Sequence, residues 1–454
     1  MTIDQTQDTP RLDISMPGFP ESLPGDVVFE QRIIRQIGEG FERGGFLPLD
    51  TAAVQRQEVL NAGGAQYLDG GIPEFAFTVV EPPESDTGTK FGLRYDLTVP
   101  VSRFIAERSA DLSFPLHCYQ INKVWRAEQM PTATHWREFY QCDVDVVGRD
   151  ELSLMYDAEI ACAVVSAFRD IGVDGFTVRA SNRKVLAALL DSHGIRVHRA
   201  RAIVQILDKG QRQEPAETAA QLQAAGFSAT VATDLGRLTA ATTLAQGRDL
   251  LVHRGADTAG LDELDTVLRA AADLGMPADH LVVDFSITRG HDYYTGTVFE
   301  TFATGREHWG AIGAGGRYDD LLRHINGRDY PGVGMSVGLA RLMGLLREDG
   351  LSREVEIRGN TTVVVPTADG CEDGVLRAVR ELRGANIATR AVFDVVDSDG
   401  AVRLAADSAV AVLVEVGEGG VPTVRDLSAP EECHKSPANL VAAVESFFEA
   451  HRPA

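Results

Sequence analysis

Lysine is scarce in this 454-residue chain: five are present beside 38 arginines, and 66 acidic residues leave a net charge of −23. That balance rules out a broadly basic molecule of the kind whose phosphate neutralisation dominates nucleic-acid affinity, though a local basic stripe remains compatible with it. The five cysteines, Cys118, Cys142, Cys162, Cys371 and Cys433, show no CxxC spacing. This argues against a zinc ribbon or a disulfide framework and fits a reducing compartment. No apolar run approaches the roughly 18 residues that a membrane span requires. The first residues, Met1-Thr2-Ile3-Asp4-Gln5-Thr6-Gln7-Asp8, lack the basic and apolar regions of a signal peptide. A cytoplasmic protein without a membrane partner is expected. Internal repeats and long low-complexity runs are also missing.

With 44% hydrophobic and 24% charged residues, the chain has ordinary soluble composition and length for roughly two to four domains. Residues 1–17 read as a disordered acidic lead. Val27, Val28, Phe29, Ile33, Ile34, Ile37 and Phe41 then recur at helical spacing until Gly44-Gly45. Strands are expected at Phe46–Leu49, Phe91–Leu97, Leu116–Val124 and Phe139–Val147, followed by an Ala-rich helix over about 153–171. Residues 18–174 therefore read as the first part of an antiparallel-sheet core. Residues 175–275, rich in Ala, Leu and Arg and broken at Gly226 and Gly255, read as a helical insertion. The core resumes over 276–350 and ends in a helix at about Met335–Leu346. Beyond a polar joint, residues 360–454 alternate strands and helices as a compact α/β domain. The fold class expected is α+β.

Three strings carry chemistry. Arg289-Gly290-His291-Asp292-Tyr293-Tyr294-Thr295-Gly296-Thr297-Val298-Phe299-Glu300 alternates polar and apolar residues, as a half-buried strand beside a pocket does. Paired phenols and a guanidinium suit a small polar ligand with an anionic group. Ala314-Gly315-Gly316-Arg317-Tyr318-Asp319 follows, with Gly313, Gly315 and Gly316 read as a Gly-rich turn. Upstream lie Trp125-Arg126-Ala127-Glu128 and Arg137-Glu138-Phe139-Tyr140-Gln141. Each alone has a bland account: a Tyr-rich core strand, or an Arg–Glu pair at a strand end. Together and in this order they resemble the histidyl-tRNA synthetases, a class II aminoacyl-tRNA synthetase family, whose signatures read RGxDYYTGTVFE and AGGRYD. The resemblance runs from about Gly18 to about Phe447.

The resemblance implies a class II catalytic core, a helical insertion and an anticodon-binding-like tail domain, assembled as a homodimer. It implies a histidine–tRNA ligase that uses ATP with Mg²⁺ to form histidyl-adenylate from L-histidine and passes the amino acid to tRNA(His). No metal site in the protein is implied beyond the Mg²⁺ bound with ATP. Forming an adenylate requires in-line attack on the α-phosphate, charge stabilisation there, and a grip on the amino acid's ammonium and side chain. By resemblance Arg126 meets the α-phosphate, Glu128 helps seat the adenine, and Arg341 flanks the ATP, a planar cation able to stack and pair. Asp96, Thr98, Gln141 and Asp145 would hold the amino group, and Asp96, Gln141 and Asp145 fall on alternating positions of their runs. Tyr293 and Tyr294 would surround the imidazole. Arg289 would neutralise charge at the α-phosphate, and Gly315 would make room for bound histidine.

The chain departs from the family in three places. Ala52 replaces the proline that follows Thr in the dimer strand. The loop Gln129–Trp136 stands where the family reads Arg-Pro-Gln-x-Gly-Arg; it is longer and has no Lys or Arg before Arg137. The tail from Gly359 holds 8 basic against 15 acidic residues. All three touch assembly, ATP-loop or tRNA contacts, and the amino-acid signatures are intact. Two other readings remain open on sequence alone: a paralogue that activates histidine for a non-tRNA acceptor, and a non-catalytic histidine-sensing regulatory subunit. The retained arginines and the tail domain count against the sensor.

Overall fold

A computed structural model of the chain describes residues 16–62, 76–79, 88–127, 136–173, 175–195, 197–210, 215–287, 293–321, 323, 327–350, 359–406, 410–427, 433–435, 437 and 439–450. By contacts it divides into two units, Met1–Glu21 with Ile33–Leu345, and Ser22–Arg32 with Leu346–Ala454. The lead expected at residues 1–17 therefore lies almost wholly outside the described residues, as does most of the Gln129–Trp136 loop.

The first unit is organised by an eight-stranded sheet ordered β1-β5-β6-β11-β10-β9-β7-β8. Its strands are β1 (Leu47–Pro48), β5 (Leu116–Trp125), β6 (Glu138–Val147), β7 (Phe176–Asn182), β8 (Leu281–Val283), β9 (Thr297–Ala303), β10 (Gly313–Tyr318) and β11 (Gly332–Gly338). The six central strands pair antiparallel, and the outer pairs β1/β5 and β7/β8 are parallel. A small second sheet joins β2 (Val54–Arg56), β3 (Thr78–Val79) and β4 (Phe91–Leu93), with helix α2 (Gln57–Ala62) against β2 and β4. Helix α1 (Pro24–Arg43), of which the part from Ile33 belongs to this unit, has the apolar spacing read from its sequence, and Ile33, Ile37 and Phe41 are buried. Helix α4 (Met155–Asp170) covers the main sheet with Ile160, Ala161, Val164, Val165 and Phe168.

Four local expectations are corrected. The strand expected over Phe91–Leu97 stops at Leu93, and helix α3 (Thr98–Arg108) begins soon after. Its first turn holds Pro100, which is compatible with a helix start because no intrahelical N–H is needed there. The helical stretch expected from residue 175 begins with β7, whose inward side chains Phe176, Val178 and Ala180 continue the sheet. Helices α5 (Arg183–Ser192), α6 (Val197–Gly210), α7 (Pro215–Ala224), α8 (Ala229–Thr239), α9 (Leu244–Arg254) and α10 (Ala259–Asp273) then follow. Asn182, Ser228 and Thr243 cap three of them by accepting from the backbone N–H of Lys184, Val231 and Gln246. The helix expected from Met335 starts only at Leu339, since Met335–Gly338 complete β11; helix α11 is Leu339–Glu348. The presumed turn at Gly313, Gly315 and Gly316 is strand β10, glycine-rich because its neighbours leave no space for side chains. A Cβ on Gly315 would lie 2.1 Å from the Gly334 carbonyl oxygen.

The second unit carries a five-stranded sheet ordered β13-β12-β14-β15-β16, from β12 (Gly359–Pro366), β13 (Ala388–Ala391), β14 (Val410–Val416), β15 (Pro422–Asp426) and β16 (Cys433–Lys435). Alternation along β12 and β14 sends side chains to two helix layers. Val364, Val412 and Val414 meet α12 (Glu372–Gly384) and α14 (Leu440–Ala450), while Val363, Val365 and Leu413 meet α13 (Ser398–Ala406).

Candidate active site

Strand β11 reads Gly332-Val333-Gly334-Met335-Ser336-Val337-Gly338, large and small residues in turn. Val333, Met335 and Val337 are buried core residues. The small residues fall opposite β6: Gly334 pairs with Asp145, Ser336 with Asp143 and Gly338 with Gln141. Directly opposed residues share a sheet face, so one strand supplies polar side chains and the other a floor almost without side chains. A Cβ at Gly334 would sit 1.9 Å from Asp145 Oδ1. Above this floor lies an open cleft of about 180 Å³, lined by Asp96, Thr98, Arg126, Gln141, Asp145, Tyr293, Tyr294 and Arg341. Eight residues singled out from sequence thus converge from the exit of β5, from β6, α3 and α11, and from the segments leading into α3 and β9.

Hydrogen bonds fix several of these groups. Gln141 Nε2 donates to Ser336 Oγ at 2.8 Å, and its Oε1 accepts from Arg126 Nη2 at 3.4 Å. Arg126 Nε donates to the Tyr95 carbonyl oxygen at 2.9 Å, and its guanidinium lies 5.1 Å from the Phe139 ring centroid. Arg341 Nη1 donates to the Ala311 carbonyl oxygen at 2.7 Å. Tyr318 donates its phenol proton to Asp145 Oδ1 at 2.7 Å. Gly332 makes that reach possible, since a Cβ there would be 2.3 Å from Tyr318 Cε2. The rings of Tyr293 and Tyr294 stand 4.7 Å apart, tilted by 56°.

Three carboxyls share the site. Asp96, Asp143 and Asp145 are 3%, 3% and 4% exposed. Burial pushes Asp96 up to about 6, against the pull of the Val99 N–H and the Arg126 charge. Burial likewise pushes Asp145 up to about 7; the Tyr318 hydrogen bond lowers it and the Asp96 charge adds to the rise. Asp143 is raised by burial and by the neighbouring Asp145 charge. Asp96 Oδ1 accepts from the Val99 N–H at 3.2 Å, whereas its Oδ2 is buried with no partner among the described residues. A buried carboxylate oxygen left unpaired costs free energy until a donor arrives, so this pocket favours a cationic, hydrogen-bonding ligand.

Two predicted site residues, Glu128 and Arg289, lie outside the described residues. Gly315 does not line the cleft. Strand alternation puts Gly315 and Arg317 on the opposite face of β10 from Ala314, Gly316 and Tyr318, and the room at Gly315 is taken by Gly334 and Met335. Sequence reasoning missed Asp143, Ser336 and Tyr318. Asp143 carried a usable signal, standing midway between Gln141 and Asp145 in period two; the spacing of Ser336 between Gly334 and Gly338 was a second.

Comparison with known proteins bears on the same residues. The family model described as "Histidyl-tRNA synthetase" matches residues 18–342. The protein named "Histidine--tRNA ligase" of Xanthomonas oryzae pv. oryzae (strain PXO99A) is 34% identical over 437 residues, 90% of this chain and 93% of that protein. Its namesake in Xanthomonas axonopodis pv. citri (strain 306) is 33% identical over 462 residues, covering 96% of each. The crystal structure of histidyl-tRNA synthetase from Nostoc sp. PCC 7120 superposes with a TM-score of 0.77 at 29% identity, over 96% of this chain and 100% of that one. With the family model matched over residues 18–342 and relatives matched along nearly their whole length, this chain belongs to the histidyl-tRNA synthetase family.

Proposed function

We propose that the cleft activates L-histidine with ATP and that the chain then transfers the histidyl group to tRNA(His), as a histidine–tRNA ligase. The observation that carries this reading is the unpartnered Asp96 Oδ2 in a cleft walled by Gln141, Asp145 and two phenols and flanked by Arg126 and Arg341. Asp96 receives the α-ammonium, with Thr98 and Gln141 beside it. Tyr293 and Tyr294 present flat faces and hydroxyls to the imidazole. One oxygen of the histidine carboxylate attacks the α-phosphorus of ATP and pyrophosphate leaves. A hydroxyl of the terminal ribose of tRNA then attacks the adenylate carbonyl carbon and AMP leaves.

Arg126 suits the α-phosphate because Tyr95 and Gln141 hold its guanidinium in advance, so little reorganisation accompanies charge development. Arg341, at the first turn of α11, flanks the nucleotide. Family likeness supports Arg289 at the α-phosphate and Glu128 at the adenine. Mg²⁺ arrives with the ATP phosphates as part of the substrate. Homodimer assembly and a cytoplasmic location belong to the same reading; among the described residues no helix is long and apolar enough to cross a membrane. Histidine-dependent exchange of pyrophosphate into ATP, followed by charging of total tRNA, tests the proposal. Exchange is expected with histidine and with no other amino acid, and its absence would overturn the reading.

A further inference from the structure

We propose that Thr295, Asp319 and Arg317 form a clasp that sets Tyr293 and Tyr294 in the amino-acid pocket, which makes Thr295 and Asp319 positioning residues for histidine recognition. The inference rests on the functional reading above and assigns work to signature residues that face away from the cleft. Arg317 is 5% exposed and points behind the sheet. Its Nη2 and Nε donate to Asp157 Oδ2 at 2.6 and 3.1 Å, and its Nη2 and Nη1 also reach the Ser153 and Leu152 carbonyl oxygens at 3.0 and 3.2 Å. These bonds lock the strand β10 guanidinium to the start of helix α4. Arg317 Nη1 also donates to Asp319 Oδ1 at 3.3 Å.

Asp319 passes that constraint to the phenols. Its Oδ2 accepts from Thr295 Oγ1 at 2.6 Å, and its backbone N–H donates to the same Oγ1 at 3.1 Å. The Thr295 N–H donates to the Arg317 carbonyl oxygen at 2.8 Å. Thr295 is thereby held at three points, immediately after Tyr293 and Tyr294. Two glycines close the remaining slack. A Cβ on Gly316 would lie 2.9 Å from Tyr294 Cδ1, and one on Gly296 would lie 3.0 Å from Arg317 Cδ. A buried Arg–Asp pair is weak as a stabilising device, because desolvation offsets most of its attraction. Its directional bonds are better suited to holding geometry, and small displacements of a binding group are costly. Arg126 and Arg341 stand on β5's exit and on α11, outside this chain of bonds, so disturbance of the clasp reaches histidine and spares ATP.

The test measures pyrophosphate exchange with purified full-length Thr295→Val, Thr295→Ser and Asp319→Asn. Loss of the Thr295 hydroxyl is expected to raise the KM for histidine about tenfold while the KM for ATP stays within about twofold. Thr295→Ser restores the hydroxyl and is expected to return the histidine KM toward wild type. Asp319→Asn, nearly isosteric, gives the same split if Thr295→Val does not fold. A folded Thr295→Val enzyme with an unchanged histidine KM, or with both KM values raised equally, would overturn the clasp. Absence of exchange in the wild-type protein would instead overturn the functional reading, and the two failures are separable on one assay.

Discussion

In the folded chain burial pushes Asp96 and Asp145 up to about 6 and about 7, well above the ordinary aspartate value of 3.8. The folded state therefore keeps protons that the unfolded chain has already released, so these groups lower stability as pH rises from about 4 to about 7 and restore it as pH falls. Histidine binding runs the other way, because the ammonium needs ionised partners. The thermal midpoint of the ligand-free protein is expected to drop on going up through that window while the histidine KM improves. Asp145→Asn is expected to flatten both slopes and to raise the histidine KM about tenfold; a variant with the wild-type pH profile would contradict this. Arg289→Ala is expected to abolish exchange while calorimetry still detects histidine binding. Exchange at the wild-type rate would remove Arg289 from the chemistry.

Strands β6, β10 and β11 show what the sequence made legible and what it hid. The period-two alternation of Gln141 and Asp145 was readable, and the sheet places both on the cleft face. The glycines of β10, read as a turn, were misleading and those of β11 drew no reading, since glycine in sequence signals turns more often than tightly packed strands. Only the neighbours decide: here the Asp145 carboxyl, the Tyr318 ring and adjacent backbone occupy the places where side chains would be. The partners of Arg317 were hidden for another reason, because Asp157 lies 160 residues away and only the fold brings it close. Gly334→Ala should therefore be far worse than a strand Gly→Ala change usually is. Denaturant unfolding is expected to show a loss of about 1–3 kcal/mol from overpacking against Asp145, with a matching loss of histidine binding. An unchanged unfolding midpoint would refute the packing argument.

Charge on the whole molecule bears on the acceptor step. With −23 overall and an acidic tail from Gly359, long-range attraction for tRNA is weak, and the loop around Gln129 and Thr134 lacks the family's arginines. Gln129→Arg combined with Thr134→Arg is expected to improve charging of tRNA(His) more than it improves pyrophosphate exchange. Equal gains in both reactions would show that the loop acts on ATP alone.

The hydrogen bond between Gln141 and Ser336 joins groups 195 residues apart in the chain, and Asp96 and Tyr294 enter the same cleft from two further regions. A chain that ends before Ser336 lacks part of this cleft, since β11 supplies its floor. Contacts of that separation form late because loop closure precedes their reward. A ligand of this cleft, bound by the folded chain alone, is therefore expected to protect it against unfolding by mass action.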